Sequence, residues 1–304
     1  MIRFLLLLLA LLGPVAAHAQ RQKATAAQPE VPALWVVREG RSTAYLFGTV
    51  HTLPREVDWF KPHVARALDG SKRLVLETEI PESGGLDPVL MRLARLPAER
   101  PLADRVPDAW RPTLARATQR LKPPPLDWYK TWFVALTFTN LQAAADGMDP
   151  RIGVEAVLSE RAHMRNIPVT PLETVEQQLI FFDSLSEADQ QQVLLAALEG
   201  LDTSKSEMSL LIGDWLLGNS DSLATRVNSS FERSPMLRRL LVEDRNQRWA
   251  DWLAKQMKSE DGPIFVAVGA GHLAGKGSLV EELERRGLNV KRVMPEPPPK
   301  KRRR

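Results

Sequence analysis

Two histidines and two glutamates carry the chemical interest of this sequence, because each stands just past a short apolar run. His51 follows Tyr45-Leu46-Phe47-Gly48, and Glu77 follows Leu74-Val75-Leu76. Glu173 follows Val169-Thr170-Pro171-Leu172, and His272 follows Phe265-Val266-Ala267-Val268. Imidazoles and carboxylates are donors that a divalent ion takes, with positions left for water. Such an ion lowers the pKa of that water, and a carboxylate outside its shell can accept the proton. The same groups without an ion allow a histidine to act as general base in ester hydrolysis. A third reading is a cleft that holds a peptide, a saccharide or a metal complex without turning it over. Saccharide clefts lean on aromatic and amide groups, so the acids and imidazoles weigh against it, while the eight tryptophans keep it open.

The two histidines share a local frame, Gly48-Thr49-Val50-His51 and Gly269-Ala270-Gly271-His272. A glycine at a strand end lets the backbone turn sharply or approach a ligand, and three residues later the imidazole can face back over that end. The bare pattern G-x-x-H occurs by chance in many chains. Its weight lies in occurring twice, each time after an apolar run. His63 and His163 sit within helical patterns and read as surface residues. Glu79 lies on the same side of an extended chain as Glu77, and is either a second acid or a solvated strand end. Glu173 can equally flank a helix start, through Glu173-Thr174-Val175-Glu176. Arg245-Asn246 falls in a helical stretch from Leu237 to Met257 whose buried side holds Leu240, Leu241, Trp249 and Leu253. That arginine can bind a substrate carboxylate or brace a catalytic one, but spacing alone favours an ordinary surface ion pair.

These side chains need strands to position them, and the pattern supplies strands at both chain ends. Leu34 to Val37 and Ala44 to Val50 read as a hairpin, and a helix is expected from Lys61 to Leu68. Leu74 to Leu76 reads as a strand buried on both faces, and Ile167 to Leu172 as a further strand. Ile264 to Val268 and Asn289 to Val293 form the last strand pair, with a helix from Ser278 to Arg286 between them, ended by Gly287. The rest is mostly helical, including a stretch holding Trp128, Trp132, Ala135, Leu136 and Thr139, with the two tryptophans packed at i and i+4. The expected fold is α/β, with a mainly parallel or mixed central sheet built from both chain ends and a large helical insertion over about 85–165 and 175–260. In such sheets ligands bind at the carboxyl ends of strands, where the four polar groups fall.

The N-terminus reads as a secretory signal peptide over 1–19: Arg3, the apolar run Phe4 to Leu12, and Ala17-His18-Ala19 as cleavage site. That run is too short to span a bilayer. The chain is therefore expected to be periplasmic or secreted, with a flexible leader at 20–31, one α/β domain at 32–294 and a disordered Pro/basic tail at 295–304. The net charge of +4 is concentrated in Lys300 to Arg304 and Arg3, and what remains sums to −2. No nucleic-acid partner is expected, and at most weak membrane-surface contact through the tail. The absence of cysteine excludes thiolate nucleophiles and Cys-type zinc sites.

Taken in order, several segments resemble the TraB/GumN family, which includes PrgY and is related to the Tiki metallopeptidases. The segments are Leu34-Trp35 with Tyr45 to His51, Leu76-Glu77-Thr78-Glu79, and Pro168 to Leu179. They continue with Arg245-Asn246, Val266 to Leu273, Gly275, and Gly287-Leu288-Asn289-Val290. The resemblance implies metal-dependent proteolysis, with manganese or cobalt as the ion and zinc as a further candidate. It implies that His51, His272 and Glu77 are metal or catalytic residues, and that Glu173, Arg245 and Asn246 complete the pocket. Gly48 and Gly269 would be the motif glycines. The implied substrate is a peptide or protein of the cell envelope. Tiki proteins are membrane-anchored, whereas this chain is expected to be free, so a shared substrate does not follow.

Overall fold

The structure, a computed structural model, describes residues 31–79, 87–231, 235–259 and 261–294. The expected signal peptide, the basic tail and all but the last residue of the expected leader lie outside the described residues. Among the described residues, no helix is long and apolar enough to cross a membrane.

Six strands of the described residues form one sheet: β1 (Leu34–Glu39), β2 (Ser42–Thr49), β3 (Leu74–Leu76), β4 (Val169–Pro171), β5 (Gly262–Gly269) and β6 (Asn289–Arg292). Their order is β4-β3-β5-β2-β1-β6. Strands β4, β3, β5 and β2 are parallel, and β1 runs antiparallel to both β2 and β6. The sheet is thus mixed and draws its strands from both chain ends. The expected last strand pair is divided: β5 takes the centre between β2 and β3, while β6 takes the edge beside β1.

Among the described residues, twelve helices surround it. Helix α1 (Pro62–Asp69) joins β2 to β3. Between β3 and β4 lie α2 (Asp87–Ala94), α3 (Arg111–Leu121), α4 (Thr131–Ala145) and α5 (Val154–Met164). Between β4 and β5 lie α6 (Val175–Asp183), α7 (Glu187–Glu199), α8 (Ser204–Leu216), α9 (Ser220–Ser230), α10 (Pro235–Arg238) and α11 (Asp244–Ser259). Helix α12 (Leu279–Arg285) precedes β6.

The period-2 pattern of β5 explains how the centre is packed. Phe265 and Ala267 face one side, with Phe47, Leu74 and Leu76, against α1, α5 and α8 through Leu68, Leu158 and Trp215. Ile264, Val266 and Val268 face the other, with Leu46 and Val75, against α11 and α12 through Leu253 and Leu283. Burial on both faces is why these strands read as continuous apolar runs. The inserted helices keep a third core of their own, in which Leu114, Trp132, Phe138 and Leu194 meet.

Two smaller expectations are corrected. Trp128 lies ahead of α4 and is exposed, so it does not pack with the fully buried Trp132. His63 is buried in α1, because its side of that amphipathic helix, with Val64, Ala67 and Leu68, faces inward. His163 is exposed as expected.

Candidate functional site

Because β2, β5, β3 and β4 are parallel, their carboxyl ends share one edge of the sheet, and the residues that follow them meet there. The register sets Thr49 opposite Gly269 and Leu76 opposite Ala267. Glu77 and Glu173 follow neighbouring strands, and the Glu173 N–H donates to the Glu77 carbonyl at 2.9 Å. Helix α11 brings Arg245 and Asn246 over the same edge. Immediately before it, Arg239–Glu243 form a single π-helical turn, a feature that recurs at functional sites.

Arg245 is the hub. Its Nη2 donates to Glu77 Oε2 at 2.6 Å and its Nε to Glu173 Oε2 at 2.9 Å. Its Nη1 donates to the Leu241 carbonyl at 3.1 Å and lies 3.1 Å from His272 Nε2. The guanidinium carbon sits 4.5 Å from the centre of the Trp249 ring. Spacing favoured a surface ion pair here. The finding is a buried one, with Arg245 3% exposed, Glu77 5% and Glu173 6%, because the residue falls on the inward face of α11 beside Trp249. Arg248, half exposed, adds a second bond to Glu173, from Nη2 to Oε1 at 3.1 Å.

His272 sits in a 3-10 turn, is fully buried and has both ring nitrogens engaged. Asn246 Nδ2 donates to the Gly277 carbonyl at 2.7 Å, which turns Asn246 Oδ1 toward His272 Nδ1, also at 2.7 Å. Oδ1 only accepts, so Nδ1 carries the proton and Nε2 presents a lone pair. Burial, with the charges of Arg245 and His51, pushes the His272 pKa down to about 3 against the opposing pull of Glu77. The ring is therefore neutral.

Glu77 Oε1 accepts from the Gly269 N–H at 2.5 Å and lies 3.7 Å from His272 Nε2. Burial alone would raise its pKa. The charge of Arg245, then those that His272 and His51 carry at the acid pH where Glu77 titrates, then the Gly269 bond, outweigh it and hold the carboxyl at about 2. Gln178 Nε2 approaches Glu77 Oε2 at 3.5 Å. His51 pairs through Nδ1 with Glu155 Oε1 at 2.5 Å. Burial works against its charge, but Glu155, joined by Glu77, raises its pKa to about 9.

Gly269 marks where these groups converge. A Cβ built there would lie 3.1 Å from Glu77 Oε1, 3.6 Å from His272 Cδ2 and 3.8 Å from His51 Nε2. The glycine is needed for close approach rather than for a special backbone angle. Gly48 serves packing instead, since a Cβ there would meet the Ala270 Cα at 3.0 Å. Thus His51, Glu77, Glu173, Arg245, Asn246 and His272 are all at one place, while Glu79 is exposed and reads as a solvated strand end. Reasoning from sequence missed Glu155 and gave Gln178 no role. Glu155 lies in Gly153-Val154-Glu155, and the glycine before a helix was the one signal available.

Among the described residues, no group of three or more His, Cys, Asp or Glu side chains is placed to hold a metal ion as it stands. The reason is Arg245, which engages the His272 Nε2 and Glu77 Oε2 lone pairs that an ion would use. In kind, imidazole and carboxylate, the donors do fit a divalent ion. One imidazole nitrogen, His51 Nε2, one ionised carboxylate oxygen, Glu77 Oε1, and the carbon edge of the His272 ring surround a methyl-sized hollow at Gly269, while His272 Nε2 faces Arg245.

A mixed α/β sheet with histidines, glutamates and an arginine gathered at the carboxyl ends of its parallel strands defines the class of protein. The chain belongs to the TraB/PrgY/gumN family, which it matches over residues 33–292. It is similar to the uncharacterized protein YbaP of Shigella flexneri, with 24% identity over 255 residues, covering 83% of this chain and 92% of that protein. YbaP of Escherichia coli (strain K12) shows the same identity and coverage. No solved structure matches the chain.

Proposed function

We propose that this chain is a metal-dependent hydrolase of the periplasm or the secreted fraction, acting on an amide bond in a peptide or protein of the cell envelope. The observation that supports it most is the convergence at Gly269 of His51 Nε2, Glu77 Oε1 and the edge of the His272 ring. His51, His272 and Glu77 would hold the ion, with manganese or cobalt favoured and zinc a further candidate. A bound divalent ion supplies charge that polarises a carbonyl and activates water at neutral pH.

The chain's own residues supply the rest. Glu77 is held ionised by Arg245 and the Gly269 N–H, so its negative charge is fixed in place. The Arg245 guanidinium is a fixed cation beside the hollow, able to stabilise negative charge that develops on a carbonyl oxygen. Glu173, with its two oxygens held by Arg245 and Arg248, positions Arg245 rather than exchanging a proton. Asn246 fixes the His272 tautomer and so directs its Nε2 lone pair.

A second reading is favoured by the engagement of His272 and Glu77 by Arg245. In it no ion is bound, and His51 acts as general base on an ester. Its free-base form exists above a pKa of about 9, so activity would rise with pH toward that value and ignore chelator.

The mature protein, purified without chelator, is assayed for metal content and for cleavage of a peptide library with and without manganese. We expect stoichiometric metal and manganese-stimulated cleavage, both lost in the His51→Ala, His272→Ala double variant. Equal metal content and equal activity in wild type and double variant would refute the reading. Ligand binding that weakens in His51→Ala with no product formed would instead mark a binding protein.

A further inference from the structure

We infer that Glu155 is the positioning residue for His51: from the first turn of α5 it holds the Nδ1 side of the ring and so turns Nε2 toward Gly269. The inference rests on the proposed metal-dependent reading for its consequence, but not for its geometry. Glu155 Oε1 lies 2.5 Å from His51 Nδ1. The opposite ring nitrogen, Nε2, is 3.8 Å from the point that a Cβ on Gly269 would occupy. The two side chains are 24% and 22% exposed, so the pair is shielded more than a surface ion pair of negligible strength.

The backbone around the pair is built for close approach. The Val154 N–H donates to the Val50 carbonyl at 3.0 Å, and Leu53 and Asp149 exchange backbone hydrogen bonds at 3.4 and 3.0 Å. The loop that carries His51 is thereby tied, on both sides of the histidine, to the start of α5 and to the turn that leads into it. Gly153 is what allows it, since a Cβ there would fall 2.0 Å from the His51 carbonyl oxygen. His51 and His272 each have Nδ1 against an oxygen, His272 in a hydrogen bond to Asn246 Oδ1 and His51 in an ion-pair contact with Glu155 Oε1. Groups of this kind fix the ring orientation of histidines that bind metals, and losing one typically lowers metal affinity about 10- to 100-fold.

The test uses Glu155→Gln, Glu155→Ala and Glu155→Asp in the full mature chain, with circular dichroism to establish that each folds. Imidazole nitrogen-15 NMR on the metal-free protein reads the His51 Nδ1 proton, assigned by its loss in His51→Ala. Manganese(II) titration reads affinity. Wild type is expected to show a deshielded, exchange-protected Nδ1 proton. That signal should vanish in Ala, persist in Asp and, because the Gln carbonyl oxygen still accepts, move upfield in Gln, with manganese affinity down about 10- to 100-fold in Ala and largely rescued in Asp. If the signal is unchanged in folded Glu155→Ala, Glu155 does not hold His51 and the inference is overturned. If the signal is lost as expected but wild type takes up no manganese, the positioning role stands and the metal-dependent reading fails.

Discussion

The site places a net ionic cluster where an apolar core would be cheaper to build. Taking an ion out of water costs several kcal/mol after relaxation, and a buried pair is often no more stable than apolar side chains of the same volume. Arg245, Glu77 and Glu173 are each 6% exposed or less, so they bear that cost and offset it only by near-complete hydrogen bonding. A cluster arranged this way is better explained by chemistry at the sheet edge than by stability. Gly269 gives the sharpest test at this scale. Its replacement by alanine sets a methyl 3.1 Å from Glu77 Oε1 and 3.8 Å from His51 Nε2, in the middle of the hollow. Gly269→Ala should fold, with an overpacking cost of about 1–3 kcal/mol by urea titration. Cleavage should fall by about 100-fold or more, since displacing a reacting group by about 1 Å is enough for that. Unchanged activity in a folded variant would remove the hollow from the mechanism.

At the scale of elements, the sheet edge depends on how α6 begins. Thr174 accepts from the Gln177 N–H at 3.1 Å, and the Gln177 side chain accepts from the Thr174 N–H at 2.8 Å, a reciprocal cap one residue past Glu173. Thr174→Ala should cost about 1 kcal/mol, read as a lower urea midpoint. Because Glu173 stays bonded to both arginines, activity should fall far less than in Gly269→Ala. A larger loss of activity than of stability would mean that the cap positions Glu173 directly. The elements themselves were legible in sequence where burial on both faces wrote continuous apolar runs, as in Leu74 to Leu76 and Ile264 to Val268. The strand order was not, because nothing local in Ile264 to Val268 says that it lies between β2 and β3. The site followed the same division. His51, Glu77, Glu173 and His272 announce themselves by following strands. Arg245 and Glu155 sit in helices, where the side facing a remote strand end is decided only by tertiary packing. Spacing therefore makes Arg245 read as a surface ion pair, and nothing local in Val154-Glu155 marks Glu155.

For the whole molecule, three buried or partly buried groups make stability depend on pH in opposite directions. A pKa that differs between folded and unfolded chains links proton uptake to folding. His51 rises from 6.5 to about 9, so the stability it contributes is complete below 6.5 and is lost as pH climbs through about 9. His272 falls from 6.5 to about 3, so the unfolded chain takes up a proton that the folded ring refuses, and stability drops as pH falls from 6.5 toward 3. Glu77 falls from 4.5 to about 2, and the stability it contributes above 4.5 disappears as pH falls through about 2. Metal-free protein should therefore melt highest near pH 6.5, with an alkaline limb due to His51 and an acid limb due to His272 and then Glu77. His51→Ala should flatten the alkaline limb and leave the acid limb in place, whereas His272→Asn should flatten the limb between pH 6.5 and 3. The check is a set of melting curves from pH 3 to 9 on chelator-treated wild type and both variants. An alkaline limb as steep in His51→Ala as in wild type would mean that the His51 ring does not hold its proton against Glu155 in the folded chain.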